Sequence, residues 1–360
     1  MKCLKLINIT ILTILFSLFP SMLSGQGWSD EIQMTHFGED GLMKFYFKKD
    51  SNDNLHFIYS IGDWGEDDRC QTIYQKFNRL GEPLTDPIIV SEVTNVPDTT
   101  EFGNLAVDLF LNDNVIHILC CTFHYDTNYR FYYSSLDLDG NPVSDAQELH
   151  GFEHLPFDWI NTPYNLVVDS RNQIIIGGSA IGFFDNDTFR TNRVFYQKYS
   201  IEGERIDDMH SFERRNTYRS VMKIIHDDNI AFVWNRNVNA VTYVYYSMIA
   251  PDDSVIIDTF SIQADEGWGD VNYVDYEMDS DNFLTILLRN AKGYIYLRKY
   301  DSAMNRIFQV PLGHEFNWKG DIFIDLNNSI HVGKGFEPDE GRRYVGYSLI
   351  SNEGKLLDSS

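Results

Sequence analysis

Carboxylates, arginines and aromatic rings gather in a handful of polar stretches of this 360-residue chain, and their types suggest three chemistries. Asp67 with Asp68, Asp158, Asp270, Glu315, and Glu337 with Asp339 could supply the acid and base of glycoside hydrolysis, which needs two carboxyls held across the scissile bond. The chain has 53 Asp and Glu, so carboxylates in loops are also what chance provides. Trp64, Trp159, Trp234, Trp268 and Trp318 stand in or beside polar stretches that also hold Arg214, Arg215, Arg236, Arg289 and Arg342. Indoles beside Asp, Arg and His suit a surface that stacks on sugar rings and hydrogen-bonds their hydroxyls. An indole can equally wedge two packed sheets together. His124, Tyr125, His154 and Tyr164 could act as base and acid in a polysaccharide lyase. The residues expected to contact a ligand are Trp64, Trp159, Trp268, Trp318, Arg214, Arg236, Arg289, Tyr125, Asp158 and Asp270.

The segment Asn165 to Phe212 shows how such residues would be positioned. It alternates short apolar runs with turn residues and has no helical period, which predicts a four-stranded antiparallel meander. One such sheet cannot cover both of its faces, and the pattern recurs. Asp50 with Leu55, Asp169 with Ile174, Asp279 with Leu284 and Asp325 with Ile330 place an apolar residue five positions after an acid. Repeats near Leu111 and Ile225 keep the spacing with the acid displaced. A second anchor, an aromatic strand running into a turn, follows in each: Ile73, Phe131, Phe195, Val244, Tyr296 and Val345. Six repeats of four strands imply a stack or a ring of small sheets. A stack needs polar caps and neither end has one. The segment Trp28 to His36 reads as a stray fourth strand that completes the sixth sheet and closes a ring.

At this level the chain resembles the six-bladed β-propellers. Its pieces DLNNSIH at Asp325 and DSNDNLH at Asp50 resemble the blade turns of secreted BNR-like and sialidase-like propellers. The resemblance covers about residues 28 to 360 and implies an all-β, six-bladed propeller of four-stranded antiparallel blades. The family's Asp-box has its nearest counterpart in SLDLDGN at Ser135, with one extra residue before Gly140 and no Trp.

Alternating strand direction sends the turns to one end of each sheet and the remaining loops to the other. The turns SNDN, LNDN, SRNQ, HDDN, DSDN, LNNS, RLGE, LDGN, IEGE and NEGK are short hairpin chemistry. The opposite set, including WNRNVNA at Trp234, RNAKG at Arg289, FERRNTYR at Phe212 and KGFEPDEGRR at Lys334, reads as long and irregular, and carries the function. His56, His117 and His331 recur just after a turn and read as structural. DNDTF at Asp185 is the one calcium candidate, and no other cofactor or metal is expected.

Met1 to about Gly25 has the charged start, apolar run and small residues of a secretory signal, leaving 26–360 as one domain that is secreted or periplasmic. A net charge of −24 disfavours nucleic acid and anionic membrane surfaces as partners. Of the cysteines beyond the signal, Cys120 and Cys121 are vicinal in a strand and point to opposite faces. Buried free thiols are the simpler reading, with one bridge to Cys70 as the alternative. The sequence thus describes an exported binding module for a carbohydrate or partner protein, with a glycoside hydrolase or polysaccharide lyase as the enzymatic alternative. Oligomeric state is not legible in it.

Overall fold

The structure, a computed structural model, describes residues 41–62, 70–78, 81–94, 104–112, 114–122, 130–151, 164–182, 191–214, 217–239, 241–262, 271–314, 320–325, 328–339 and 342–359. The chain folds as two compact units. One comprises Met1–Pro156, Arg171–Ile175 and Lys198–Asp208, and the other Phe157–Ser170, Ile176–Gln197 and Met209–Ser360.

The first unit holds two whole sheets. Sheet 1 is β1 (Gly41–Lys49), β2 (Leu55–Gly62), β3 (Gln71–Phe77) and β4 (Ile88–Ile89), followed by the short helix α1 (Val90–Val93). Sheet 2 is β5 (Asn104–Asn112), β6 (Val115–Thr122), β7 (Arg130–Asp137) and β8 (Pro142–Leu149). Period-2 alternation puts Ile58 and Tyr74 on one face of sheet 1, where they pack on Ala106, Leu109, Ile118 and Cys120 of sheet 2. The other face of sheet 1 is a separate cluster around Phe57, whose ring lies 5.4 Å from both Phe47 and Phe77.

Sheet 3 is β9 (Asn165–Val168), β10 (Ile174–Gly182), β11 (Thr191–Tyr199) and β12 (His210–Arg214), the meander expected of that segment; its segments Arg171–Ile175 and Lys198–Asp208 belong to the first unit and the rest to the second. The second unit holds three whole sheets. Sheet 4 is β13 (Thr217–Ile224), β14 (Ile230–Val238), β15 (Val241–Ile249) and β16 (Val255–Ile262). Sheet 5 is β17 (Val271–Met278), β18 (Leu284–Asn290), β19 (Tyr294–Tyr300) and β20 (Arg306–His314). Sheet 6 is β21 (Gly320–Ile324), β22 (Ile330–Asp339), β23 (Arg342–Ile350) and β24 (Leu356–Ser359). Val233, Val244 and Tyr246 of sheet 4 meet Tyr276, Ile286 and Leu288 of sheet 5, whose opposite face, through Leu287 and Leu297, packs on Ile322 and Val332 of sheet 6. Each fully buried aliphatic or aromatic side chain of this kind contributes about 1.5–3 kcal/mol. Six four-stranded antiparallel sheets are the inventory that the repeats require.

One turn design recurs at one end of the sheets. The N–H of an anchor residue bonds the carbonyl four positions on, and the N–H three positions on bonds back to the anchor's carbonyl. This holds at Asp50, Asn78, Asp137, Ser200, Ala250, Asp279, Asp301, Asp325 and Ser351. The third residue after the anchor has positive φ: Asp53, Gly81, Gly140, Gly203, Asp253, Asn282, Met304, Asn328 and Gly354. This is the three-residue hairpin loop that ends on a left-handed residue. Where the anchor is Asp, its Oδ1 takes a second pair of donors, as Asp137 does from the N–H groups of Asp139 and Asn141, both at 2.9 Å. Met304 is the one aliphatic residue in this conformation among the described residues, and its side chain is held in the sheet 4 and 5 core.

First strands meet the neighbouring sheet through side chains that bond their backbone. Ser60 Oγ accepts from Ala106 N at 2.7 Å, Asn165 Oδ1 from Met222 N at 2.9 Å, and Asp275 Oδ2 from Ile322 N at 3.1 Å. These strands are bulged in sheets 1, 2, 4 and 5, where the register slips at Leu42/Lys44, Ala106/Asp108, Tyr218/Ser220 and Tyr273/Asp275.

Three expectations change. Sheet 6 takes a fourth strand from Leu356–Ser359, so its outer edge begins with the C-terminal residues, while Trp28 to His36 lies outside the described residues. Trp234 is not in a loop. It sits fully buried inside β14, and the supposed loop after it is strand as far as Val238, turning within two residues into β15. RNAKG, FERRNTYR and KGFEPDEGRR are likewise strand ends joined by short connections. Polar residues at the end of a strand resemble a loop in sequence because their partners are supplied by other sheets.

Gly140 combines φ +86° with a close approach: a Cβ there would lie 2.9 Å from Tyr74 Cε1 and clash with Ile88 Cδ1. Gly140→Ala should therefore destabilise the protein by about 2–4 kcal/mol in urea denaturation, adding backbone strain to overpacking. Gly151→Ala, at φ +113° but with its nearest neighbour 3.7 Å away, should cost less.

Candidate functional site: the loop end of the sheets

Of the ten residues singled out for ligand contact, Trp64, Trp159, Trp268, Trp318, Tyr125, Asp158 and Asp270 lie outside the described residues, as does Asp185. Three arginines are described. Arg214 ends β12 opposite Arg193. Arg236 lies near the end of β14 and Arg289 near the end of β18.

Alternation decides which way each arginine points. In β14, Ala231 and Val233 face sheet 5, and Asn235 continues that row, its Nδ2 donating to Asn272 Oδ1 at 3.2 Å. Phe232, Trp234 and Arg236 form the opposite row. The indole of Trp234 stacks on Tyr245 at 5.9 Å, and the Arg236 guanidinium lies over the same tyrosine ring, 5.8 Å from its centre. This cation–π contact fixes a half-buried charge at the strand end. Arg289 instead shares the row of Leu287, which packs on sheet 6. The offset of one residue between the two arginines sends them to different seams, so Arg236 and Arg289 share an end of their sheets but not a face. Tyr164, a possible acid, is buried with its ring 5.6 Å from Phe195.

Chemistry-like clusters at the turn end are tied into the sheets by their contacts. His56 Nδ1 lies 2.8 Å from the Tyr74 hydroxyl and Nε2 lies 3.2 Å from Asp50 Oδ2. A carboxylate only accepts, so Nε2 carries the proton and Nδ1 accepts from tyrosine. The arrangement resembles a proton relay, yet His56 is fully buried, and Asp50 Oδ1 is engaged by the N–H groups of Asn52 and Asn54 at 2.8 Å. Burial pushes the Asp50 carboxyl up, but hydrogen bonds from Asn54, His56 and Asn52 outweigh it and hold the group below its ordinary value. His117 takes the same place in sheet 2, with Nδ1 2.7 Å from the Tyr133 hydroxyl, and His331 in sheet 6, with Nε2 3.2 Å from Asp325 Oδ2. Sheet 5 substitutes a buried ion pair, Lys299 to Asp279 at 2.7 Å, with Lys299 also bonding Asn352 of sheet 6. Between sheets 3 and 4, Tyr196 donates to Asp253 Oδ1 at 2.8 Å while its ring stacks on His210 at 4.8 Å.

Cys70, Cys120 and Cys121 are buried free thiols. Desolvation pushes Cys70 up to about 11 and Cys120 up to about 12, so both stay protonated and unreactive at neutral pH. Sequence reasoning missed Asn235, Asn272 and Tyr245. One signal could have found the first: the residue five after the apolar anchor of the second strand is polar in Ser60, Ser179, Asn235 and Arg289.

No family model matches the chain, and no curated relative is found. Among the solved structures with a partial likeness are these two. One is a Dyadobacter fermentans protein of unknown function, 10% identical, with a TM-score of 0.45 over 88% of this chain and 80% of that one. The other is an α-L-arabinofuranosidase from Lactobacillus brevis, 10% identical, with a TM-score of 0.42 over 76% of this chain and 95% of that one.

Burial lowers the His117 pKa from 6.5 to about 4 and lowers that of His56 as well. The unfolded chain thus binds more protons than the folded one between those two values, so stability falls as pH drops from about 6.5 to about 4. His117 accounts for about 3 kcal/mol of that fall. His117→Gln should flatten the stability profile across this window, and imidazole NMR should find His117 neutral at pH 5.

Proposed function

We propose that the chain is an exported β-propeller module that binds a carbohydrate or a partner protein through the loop end of its sheets. The observation that carries this reading is the contrast between the two ends. Among the described residues nine turns, each at one end of its own sheet, are closed by their own backbone and most of them by an anchor side chain as well, leaving little to recognise a ligand. At the other end Arg236 is oriented on the Tyr245 ring, the kind of pre-positioned cation and aromatic surface that hydrogen-bonds and stacks on polar rings. Trp64, Trp159, Trp268, Trp318, Arg214, Arg289, Tyr125, Asp158 and Asp270 are proposed to complete it. The module acts without a resident metal or cofactor in this reading, and outside the cytoplasm after removal of residues 1–25.

The proposal includes ring closure by Trp28 to His36 beside sheet 6. In its support, β24 pairs only with Ser348, Leu349 and Ile350, whereas the partner strand continues back to Arg342. Deleting residues 28–36 should lower the midpoint of thermal unfolding by about 5 °C or more. An unchanged midpoint would count against closure.

A glycan array on the chain lacking residues 1–25, with product analysis on each hit, tests the function. Binding without turnover is expected, weakened about tenfold or more by Arg236→Ala, with each tenfold step equal to about 1.4 kcal/mol. Release of shortened or unsaturated sugars would instead assign a hydrolase or a lyase.

A further inference from the structure

The outer strand of every sheet breaks register at the same place. In sheet 2, Ser135 pairs Ser144 and Leu136 pairs Pro142, which leaves Val143 as an extra residue. The same count leaves Ile256 extra in β16, Ile307 in β20 and Leu357 in β24. In sheets 1 and 3 the bridges Phe77 to Pro83 and Tyr199 to Arg205 are followed by Leu84 N to Lys76 O and Ile206 N to Lys198 O, which puts Leu84 and Ile206 in the same position. Each extra residue stands six positions after its turn anchor, and all six are large, apolar and exposed.

A regular edge strand with apolar side chains is a template for pairing with another chain, and a bulge, a proline or a charge in it prevents that pairing. All three occur here. The residue before the bulge is Pro83, Pro142, Arg205 and Arg306 in sheets 1, 2, 3 and 5. The residue two after it is Asp86, Asp145, Asp208 and Asp258 in sheets 1 to 4, each exposed. Sheet 2 is further covered, because Ala146 N of β8 donates to Thr94 O, at the end of α1, at 2.6 Å. Sheets 4 and 6 have the fewest of these devices, sheet 6 carrying Leu356, Leu357 and Ser359 in these places. Sheet 4 carries Val255 where sheets 1, 2, 3 and 5 carry proline or arginine, so Val255 and Ile256 are 61% and 48% exposed side by side. What remains is the bulge at Ile256, a second slip between the pairs Tyr246 to Phe260 and Met248 to Ile257, and Asp258 within that slip, whose Oδ1 accepts from Thr259 N at 2.7 Å.

We propose that the outer strands are built to refuse a second copy of this chain, and that on β16, which has no proline or arginine beside its bulges, the carboxylate of Asp258 carries that refusal. A partner copy would add its own β16 to this edge once the carboxylate is gone, since the freed Thr259 N–H and the neighbouring apolar pair then match an identical strand.

Sedimentation velocity over a concentration series, with circular dichroism to confirm folding, tests this on the full chain after signal removal. Two variants are compared with the parent: deletion of Ile256 combined with Asp258→Val, and Asp258→Val alone. Asp145→Val in the covered edge of sheet 2 is the control, matched in charge and residue type. The deletion variant and Asp258→Val should raise the weight-average mass about twofold or more with concentration, while Asp145→Val stays at the parent value. If the deletion variant does not fold, Asp258→Val alone decides. A folded Asp258→Val protein that sediments as the parent does overturns the proposal. Equal association of Asp258→Val and Asp145→Val also overturns it, because loss of charge anywhere on the surface would then suffice.

Discussion

The constraint on which everything else rests is the three-residue turn that closes one end of the sheets. Four strands of antiparallel sheet bury their faces usefully only in one register, since a slip of one residue exchanges the buried and exposed rows. The turn fixes that register locally. Its positive-φ residue sets the direction of the chain, and an Asp anchor such as Asp50, Asp137, Asp279 or Asp301 receives the N–H groups that a tight loop would otherwise leave without a partner. From there Tyr74 faces sheet 2, Tyr246 faces sheet 5 and Leu287 faces sheet 6, as the separate cores require.

The same turn serves as the place where sheets dock. Gly140 of sheet 2 lies on Tyr74 and Ile88 of sheet 1, Gly203 lies on Gln147 and Leu149, and Gly354 of sheet 6 lies on the ring of Phe308 of sheet 5. Glycine is needed there twice over, for the left-handed backbone and for the absence of a side chain. His56 on Asp50, His331 on Asp325 and Lys299 on Asp279 hold their turn anchors by different chemistry in different sheets. A repeat can vary its polar partner as long as the anchor stays satisfied. That is why a group with the look of a relay, His56 between Asp50 and Tyr74, also serves the scaffold.

Much of this was legible in the sequence, because the information is local. An acid followed five residues later by an apolar residue marks both the anchor and the start of the second strand, and Asp50, Asp279 and Asp325 do both. The histidines after the turns were readable as structural for the same reason. What was not legible depends on partners far away in sequence. Asn235 and Arg236 looked like loop because nothing near them explains a polar strand end, and the explanation is Asn272 in the next sheet and Tyr245 in the next strand. Trp234 looked like a rim indole and is core for the same reason. Val143, Ile256 and Ile307 are large and apolar yet exposed, and the register gives the reason, since each is the extra residue of a bulge. Of the candidate site itself, the sequence could name residue types and a shared end. It could not tell that Arg236 and Arg289 occupy different seams.

Amide hydrogen exchange on the intact protein tests the central claim most directly. If side-chain-anchored turns set the register, the N–H groups of Asn54, Asn141, Phe283, Asn305 and Ser329, which donate to Asp50, Asp137, Asp279, Asp301 and Asp325, exchange as slowly as neighbouring strand amides. Exchange of these five at the rate of open loops, while the strands stay protected, would contradict the account, since the turns would then be following the sheets instead of fixing them.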